Sequence, residues 1–231
     1  MFTPELRTKA EQLCNRYPER RSALLPLLHL VQYQNGWITR DSINECAELV
    51  GMTAAEVEAV ATFYTMYKHD GPMGDHLVSV CTNFACAVRG GKAVYQALQD
   101  HLQVGHEGTT DDGKITLEHA ECLGNCEGAP VVTVDYMNYE RLTPDQAVDL
   151  VDNLRDGVVP PPTRGMIPPG VRAISHRLAG IGPIDEDAPG QKLGLDTAKD
   201  GGVVRPEAGP DSTGLNMIDL GSAPEKEAEH A

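Results

Sequence analysis

Four cysteines in two short clips, Cys81-Thr-Asn-Phe-Ala-Cys86 and Cys122-Leu-Gly-Asn-Cys126, with 35 residues between them, constrain this chain more than any other feature. Each clip falls where an apolar, β-branched run gives way to a loop, so strand pairing would gather both at one end of a sheet. Thiolates gathered at one point hold metal, and soft sulfur selects zinc or iron–sulfur clusters over hard cations. A redox dithiol needs two cysteines two residues apart at a helix start. Neither spacing fits that pattern. Zinc accepts spacings of two to four residues, whereas a 2Fe–2S cluster takes two thiolates per iron. The loops lean towards the cluster. Gly124 and Gly128 flank Cys126, and Gly90-Gly91 follow Cys86. Such glycines let main-chain N–H groups approach bridging sulfides closely. Zinc loops also use glycine, so a zinc-bound interaction module stays open on spacing alone.

The compartment bears on this choice. The chain of 231 residues has a formal net charge of −15. Residues 1–156 alone carry 12 Lys/Arg against 23 Asp/Glu, so the acidity belongs to the structured part. That argues against nucleic acid or an anionic membrane surface as partner. The start, Met1-Phe2-Thr3-Pro4-Glu5, lacks the basic and apolar regions of a signal peptide. The most apolar stretch, Ser22 to Val31, is short and holds Pro26 and His29, so direct membrane insertion is not expected. A cytoplasmic, reducing location follows, where clustered cysteines serve as metal ligands more often than as disulfides.

Three zones differ in pattern. Residues 1–74 read as a helical bundle. Thr3-Pro4 starts a helix through about Arg16, and Leu24, Leu25, Leu27, Leu28 and Val31 mark a second, from near Ser22 to Asn35-Gly36. A third runs from Thr39 to Val50, closed by Gly51, and Thr53-Ala-Ala-Glu56 is a capping box for a fourth through about Tyr67. Residues 75–157 change period. Leu77–Cys81, Ile115–Ala120, Val131–Val134 and Tyr139–Leu142 read as strands, the last two joined by a tight turn near Met137-Asn138. Val88–Leu102 reads as a helix, and Thr143-Pro-Asp-Gln146 caps a final one. The order β-α-β-β-β-α matches a thioredoxin-like sheet. Residues 158–231 form a Pro/Gly-rich extended tail. From Gly157 onward the chain holds 10 of its 16 prolines and 12 of its 23 glycines but no Phe, Tyr, Trp or Cys. Such a segment buries too little apolar area to offset its ordering entropy. Its scattered Met166, Ile167, Val171, Ile174, Leu178 and Ile181 suggest a strap laid over a partner surface. The fold class is thus α+β: an N-terminal helical bundle, a thioredoxin-like domain carrying the metal centre (2Fe–2S, with zinc still open) and an extended tail.

Together, Cys-x4-Cys, the Arg-Gly-Gly after it and Glu121-Cys-Leu-Gly-Asn-Cys-Glu-Gly-Ala-Pro130 resemble the family of small 2Fe–2S E subunits of the NADH–quinone oxidoreductases (respiratory complex I). Val60-Ala-Thr-Phe-Tyr-Thr-Met-Tyr67, Val131-Val-Thr-Val-Asp135 and Tyr136-Met-Asn-Tyr-Glu-Arg-Leu-Thr143 extend the resemblance over about residues 5–157. It implies that Cys81, Cys86, Cys122 and Cys126 ligate one 2Fe–2S cluster. It also implies a role as a non-catalytic electron-transfer subunit. The partner would be the flavin- and NADH-binding subunit, which holds FMN and NADH, and through it the other peripheral-arm subunits. The cluster would exchange single electrons with that FMN, off the main path to quinone, on the cytoplasmic face of the inner membrane. Equivalent subunits occur in soluble NAD-linked hydrogenases and formate dehydrogenases. Family members often carry Thr-Pro before the second cysteine. Phe84-Ala85 stands there instead, with Phe84 placed to shield the site from water.

The remaining candidates have plainer readings. Cys14 and Cys46 lie on helices as small buried hydrophobes. His119 is a strand residue, since four cysteines already saturate the centre. Arg89-Gly90-Gly91-Lys92 opens a helix beside the clips and matches no nucleotide-binding fingerprint. Phe63, Tyr64 and Tyr67 at helical spacing read as core, and Trp37 as a lid on the bundle. No catalytic triad, carboxylate pair or phosphate loop stands out.

Overall fold

A computed structural model describes residues 1–181 of the chain. Helix α1 (Pro4–Cys14) starts where the Thr3 side chain accepts the Leu6 N–H, with Pro4 at a position that needs no donor. A short 3-10 turn (Arg20–Ala23) leads into α2 (Leu24–Asn35). Pro26 therefore lies in the first turn of α2, where it breaks no helical bond, and Gly36 closes the helix at φ 83°. Helix α3 (Arg40–Val50) is capped by Thr39 and Ser42 and ends at Gly51, also left-handed. Helix α4 (Ala54–Phe63) opens on the Thr53/Glu56 capping box. Leu27, Leu28, Leu30, Cys14, Cys46 and Val57 are wholly enclosed between these helices.

One aromatic expectation fails here. Helix α4 stops at Phe63 because Tyr64 turns to extended backbone. Only Tyr67 reaches the core, its hydroxyl donating to the Leu25 carbonyl at 2.9 Å. Phe63 is 77% exposed and Tyr64 is exposed beside it, their rings edge to face. Trp37 is half-buried.

Five strands form one sheet: β1 (His76–Cys81), β2 (Gly108–Thr109), β3 (Ile115–Ala120), β4 (Val131–Val134) and β5 (Met137–Glu140). Their order is β2-β3-β1-β4-β5, with β1 and β3 parallel and the other pairs antiparallel. The parallel pair requires a crossover, supplied by the short α5 (Phe84–Val88) and by α6 (Gly91–Leu102). Helix α7 (Pro144–Arg155), boxed by Thr143 and Gln146, packs beside α6. Val78 and Val80 of β1 join Val94, Leu98, Leu150 and Val151 of these helices in a second core. The β4–β5 turn falls at Asp135-Tyr136, two residues earlier than expected, with φ of +49° and +70°. No glycine announces it. Asp135 holds the conformation through its buried carboxylate, which accepts the Leu77 N–H at 3.0 Å and the Gly170 N–H at 2.9 Å and meets His76 Nδ1 at 2.7 Å. Asp tolerates this left-handed geometry better than most residues.

The tail departs from its expected extended form. Residues Val171–Leu178 form α8, which lies along α2, with Val171, Ile174 and Ser175 buried. The Gln32 amide donates to Ser175 Oγ at 3.3 Å, and Arg16 donates to the Gly180 carbonyl. The strap thus lies over this chain's own bundle. The expectation for residues 182–231 lies outside the described residues.

Bundle and sheet meet through Lys68, whose side chain is 8% exposed. Its Nζ pairs with Glu118 at 2.5 Å and Glu107 at 2.9 Å, and Ser79 donates to the other oxygen of Glu118. A buried ammonium is compensated here by two carboxylates; with both removed it would be a buried, unpaired charge.

His29 of α2 is buried against Tyr67, and its Nδ1 has no partner among the described residues. Burial pushes this imidazole down from its ordinary 6.5 to about 4. Between those values the unfolded chain binds a proton that the folded chain refuses, so stability falls as pH drops through that window. Urea midpoints measured at neutral and mildly acidic pH should therefore fall with acid, and less so in His29→Leu.

Candidate metal centre

The parallel register of β1 and β3 builds the site. Cys81, the last residue of β1, sits opposite Ala120, the last of β3, so both clips begin at the same end of the sheet. Neighbouring strands lie about 4.8 Å apart, close enough for side chains beyond their ends to meet. The Thr82 N–H donates to the Ala120 carbonyl at 3.1 Å, and Cys81 Sγ donates to the Glu121 carbonyl at 3.4 Å. Cys86 lies in α5, capped by Asn83, whose side chain accepts the Phe84 N–H at 2.6 Å. Cys81 and Cys86 are buried together with Ala129 and Val131. Cys122 and Cys126 are exposed.

Helix α6 closes one side. A Cβ built on Gly91 would lie 2.6 Å from the Cys81 carbonyl oxygen and 2.9 Å from that of Cys86. Only glycine lets the N-terminus of α6 press against both cysteines' backbone, and this positive end of the helix favours an anionic group nearby. The second clip is clamped from β5. The Arg141 N–H donates to the carbonyls of Gly128 and Pro130, at 2.9 and 2.8 Å, and its guanidinium donates to the Glu127 carbonyl. Asn125 Nδ2 donates to Glu140 at 2.7 Å. That bond, with the charge of Arg164 behind it, holds the Glu140 carboxyl below its usual range.

The thiols stand as two pairs. Burial, then a hydrogen bond with Cys81, pushes Cys86 up to about 11. Cys126 is raised chiefly by the charge of Cys122 beside it. Crowded thiols that resist ionisation together are the donor set a cation relieves, with release of protons. Among the described residues no three His, Cys, Asp or Glu side chains are arranged around a single ion. Two thiol pairs, a glycine-lined approach and main-chain donors fit a two-iron, two-sulfur cluster, which takes one pair per iron.

The structure sets Cys81 beside Cys86 and Cys122 beside Cys126, the two pairs near enough for their charges to be felt between them; Cys14 and Cys46 lie apart in the bundle core. Phe84 does not shield the site: it is 80% exposed at the start of α5, and Val88 at the end is 74% exposed. His119 is an exposed β3 residue stacked on His106 at 4.0 Å. Three residues that hold the second clip, Asn125, Glu140 and Arg141, carry no signal in sequence beyond lying within the family-like phrases. Arg164 lies outside those phrases altogether.

Comparison with known proteins agrees with this geometry. The family model for the thioredoxin-like [2Fe-2S] ferredoxins matches residues 10–155. The E subunit of the NADH-quinone oxidoreductase of Mycobacterium tuberculosis is 49% identical over 176 residues, 76% of this chain and 69% of that protein. The mitochondrial NADH dehydrogenase [ubiquinone] flavoprotein 2 of Dictyostelium discoideum is 35% identical over 79% of this chain and 71% of its own length. In fold alone, the chain is similar to an NAD+-reducing [NiFe]-hydrogenase, with a TM-score of 0.51 and 17% identity over 58% of this chain and 22% of that one. The chain belongs to the thioredoxin-like [2Fe-2S] ferredoxin family.

Gly91→Ala tests the close approach. The added methyl has backbone on two sides and no flexible neighbour to displace, so it should lower stability by about 1–3 kcal/mol in denaturant unfolding.

Proposed function

We propose that this chain is the small electron-transfer subunit of an NADH–quinone oxidoreductase, ligating one 2Fe–2S cluster through Cys81, Cys86, Cys122 and Cys126. The observation that carries this reading is the pairing of the thiols at a shared sheet end. Identity of 49% to the E subunit of such a complex supports it. The cluster supplies one-electron storage, exchanged with the FMN of an adjacent NADH-binding subunit.

This chain's residues do the rest. The cysteines give up protons to become ligands. The amide end of α6 and the main chain around Gly124 and Gly128 favour the negative charge held there. Arg141 fixes the second clip. Phe84 and Val88 present an exposed apolar rim beside Cys86, suited to burial under a partner that excludes water from the centre. No bond is made or broken in a substrate, so no general base is called for. Among the described residues no helix is long and apolar enough to cross a membrane, in keeping with a peripheral place on the cytoplasmic face. Hydrogenase and formate dehydrogenase assemblies use the same kind of subunit. Subunits that copurify with the chain distinguish them.

Absorption and electron paramagnetic resonance of the purified protein, with iron and sulfide analysis, test the reading. The expected result is a red-brown protein with iron and acid-labile sulfide in equal amounts and a paramagnetic signal on reduction. Cys122→Ser should bleach or strongly perturb both spectra. A colourless, zinc-containing wild type would refute the assignment.

A further inference from the structure

The strap crosses the edge of the sheet before it reaches the bundle, and there it meets the second clip. The Asn138 N–H donates to the Arg164 carbonyl at 3.0 Å, the Thr163 N–H donates to the Asn138 carbonyl at 2.8 Å, and Thr163 Oγ1 accepts the Glu140 N–H at 3.0 Å. Gly165, at φ +110°, passes so near Met137 that a Cβ would lie 2.5 Å from its sulfur. The backbone on either side of Arg164 is therefore fixed, and its guanidinium is aimed at two carboxylates. Nε meets Glu140 at 2.5 Å, and NH2 meets Glu127 at 3.0 Å. A lysine would reach one of the two; the planar fork of arginine reaches both.

Both carboxylates belong to the second clip. Glu127 follows Cys126 in sequence. Glu140, only 7% exposed, lies directly under Gly128, where a Cβ would be 2.6 Å from its side-chain carbons. The same Glu140 oxygen that meets Arg164 accepts from Asn125, the residue before Cys126. Asn125 Oδ1 is buried without a hydrogen-bond partner among the described residues. An asparagine left with an orphaned acceptor is oriented by its one good bond, here to Glu140. The chain of contacts thus runs from the strap through Arg164 and Glu140 to the residues on both sides of Cys126. With Arg164 53% exposed, such an ion pair adds little to folding, so its weight falls on the clip.

We infer that Arg164 is a positioning residue for the second thiol pair: it orients Glu140 under Asn125–Gly128 and offsets part of the negative charge that Glu127 and Glu140 bring to the second clip. This rests on the ligand set proposed above. Charge near an iron–sulfur centre moves its potential, with nearby negative charge making reduction harder.

The test uses full-length protein carrying its cluster and reads the midpoint potential by spectroscopic redox titration. Arg164→Gln, which leaves two carboxylates unneutralised, should lower the potential. Glu140→Gln, which removes one, should raise it. A shift of about threefold in the reduction equilibrium corresponds to ~28 mV at 59 mV per decade for one electron. Arg164→Lys should fall between wild type and Arg164→Gln. A purely structural role predicts shifts of the same sign in both Gln variants, and that result, or no shift in either, overturns the inference. A wild type without the iron–sulfur spectrum overturns the proposed function, and this inference with it. Should Arg164→Gln fail to retain a cluster, hydrogen exchange on metal-free protein decides. The Arg141 amide, clamped to Gly128 and Pro130, should exchange faster in Arg164→Gln than in wild type; an unchanged rate overturns the inference.

Discussion

Parallel pairing of β1 with β3 is the constraint from which the centre follows. Antiparallel neighbours would send Cys81 and Cys122 to opposite ends of the sheet, whereas the parallel register sets Cys81 against Ala120, two residues short of Cys122. That register is fixed by side-chain alternation. Val78 and Val80 must face α6 and α7, and a slip of one residue would turn them out and rotate Cys81 to the wrong face. The same apolar residues that stabilise the sheet therefore aim the ligands. Helix α6, needed to connect parallel strands at all, returns against the clips at Gly91, so the crossover also forms a wall of the site.

The helical bundle is more than an appendage. Lys68 leaves it to enter the face of the sheet opposite α6 and α7, and meets Glu118 on β3, the strand that leads to the second clip. Its backbone N–H is held by Gln32 of α2, and the other end of the Gln32 amide binds Ser175 of α8. One glutamine thus ties bundle, connecting loop and strap together. The pairing of Lys68 with two acids holds this junction by electrostatics that apolar contact alone could not orient.

Features encoded by neighbours in sequence are legible in it. The caps at Thr3, Thr53 and Thr143 are local hydrogen bonds, and the four cysteines announce their chemistry by spacing. Features encoded across the fold are not. The turn at Asp135-Tyr136 has no glycine because distant groups, His76 and Gly170, hold the Asp135 carboxylate in place. Helix α8 sits in a stretch too rich in proline and glycine to suggest order, and its buried face exists only against α2 and, at Val171, against Met73 and Leu77, all about a hundred residues away or more. The exposure of Phe63 and Phe84 escapes a sequence reading for a related reason. Aromatic residues normally mark interior, and nothing local says that a helix will present them outward. Arg164 gives no sign because its partners are met only after the strap has crossed β5.

The sheet has two edges, and each is closed to intruders. On one side β2 is only two residues long, Gly108–Thr109, too short to template another strand. On the other, the strap occupies the amides of Asn138 and Glu140, the alternate positions of β5 that face away from β4. Among the described residues the sheet rim thus offers no long vacant ladder on which a second copy could stack. The sticky surfaces left among the described residues are apolar side chains, which release a wrong companion far more readily than a β-ladder does.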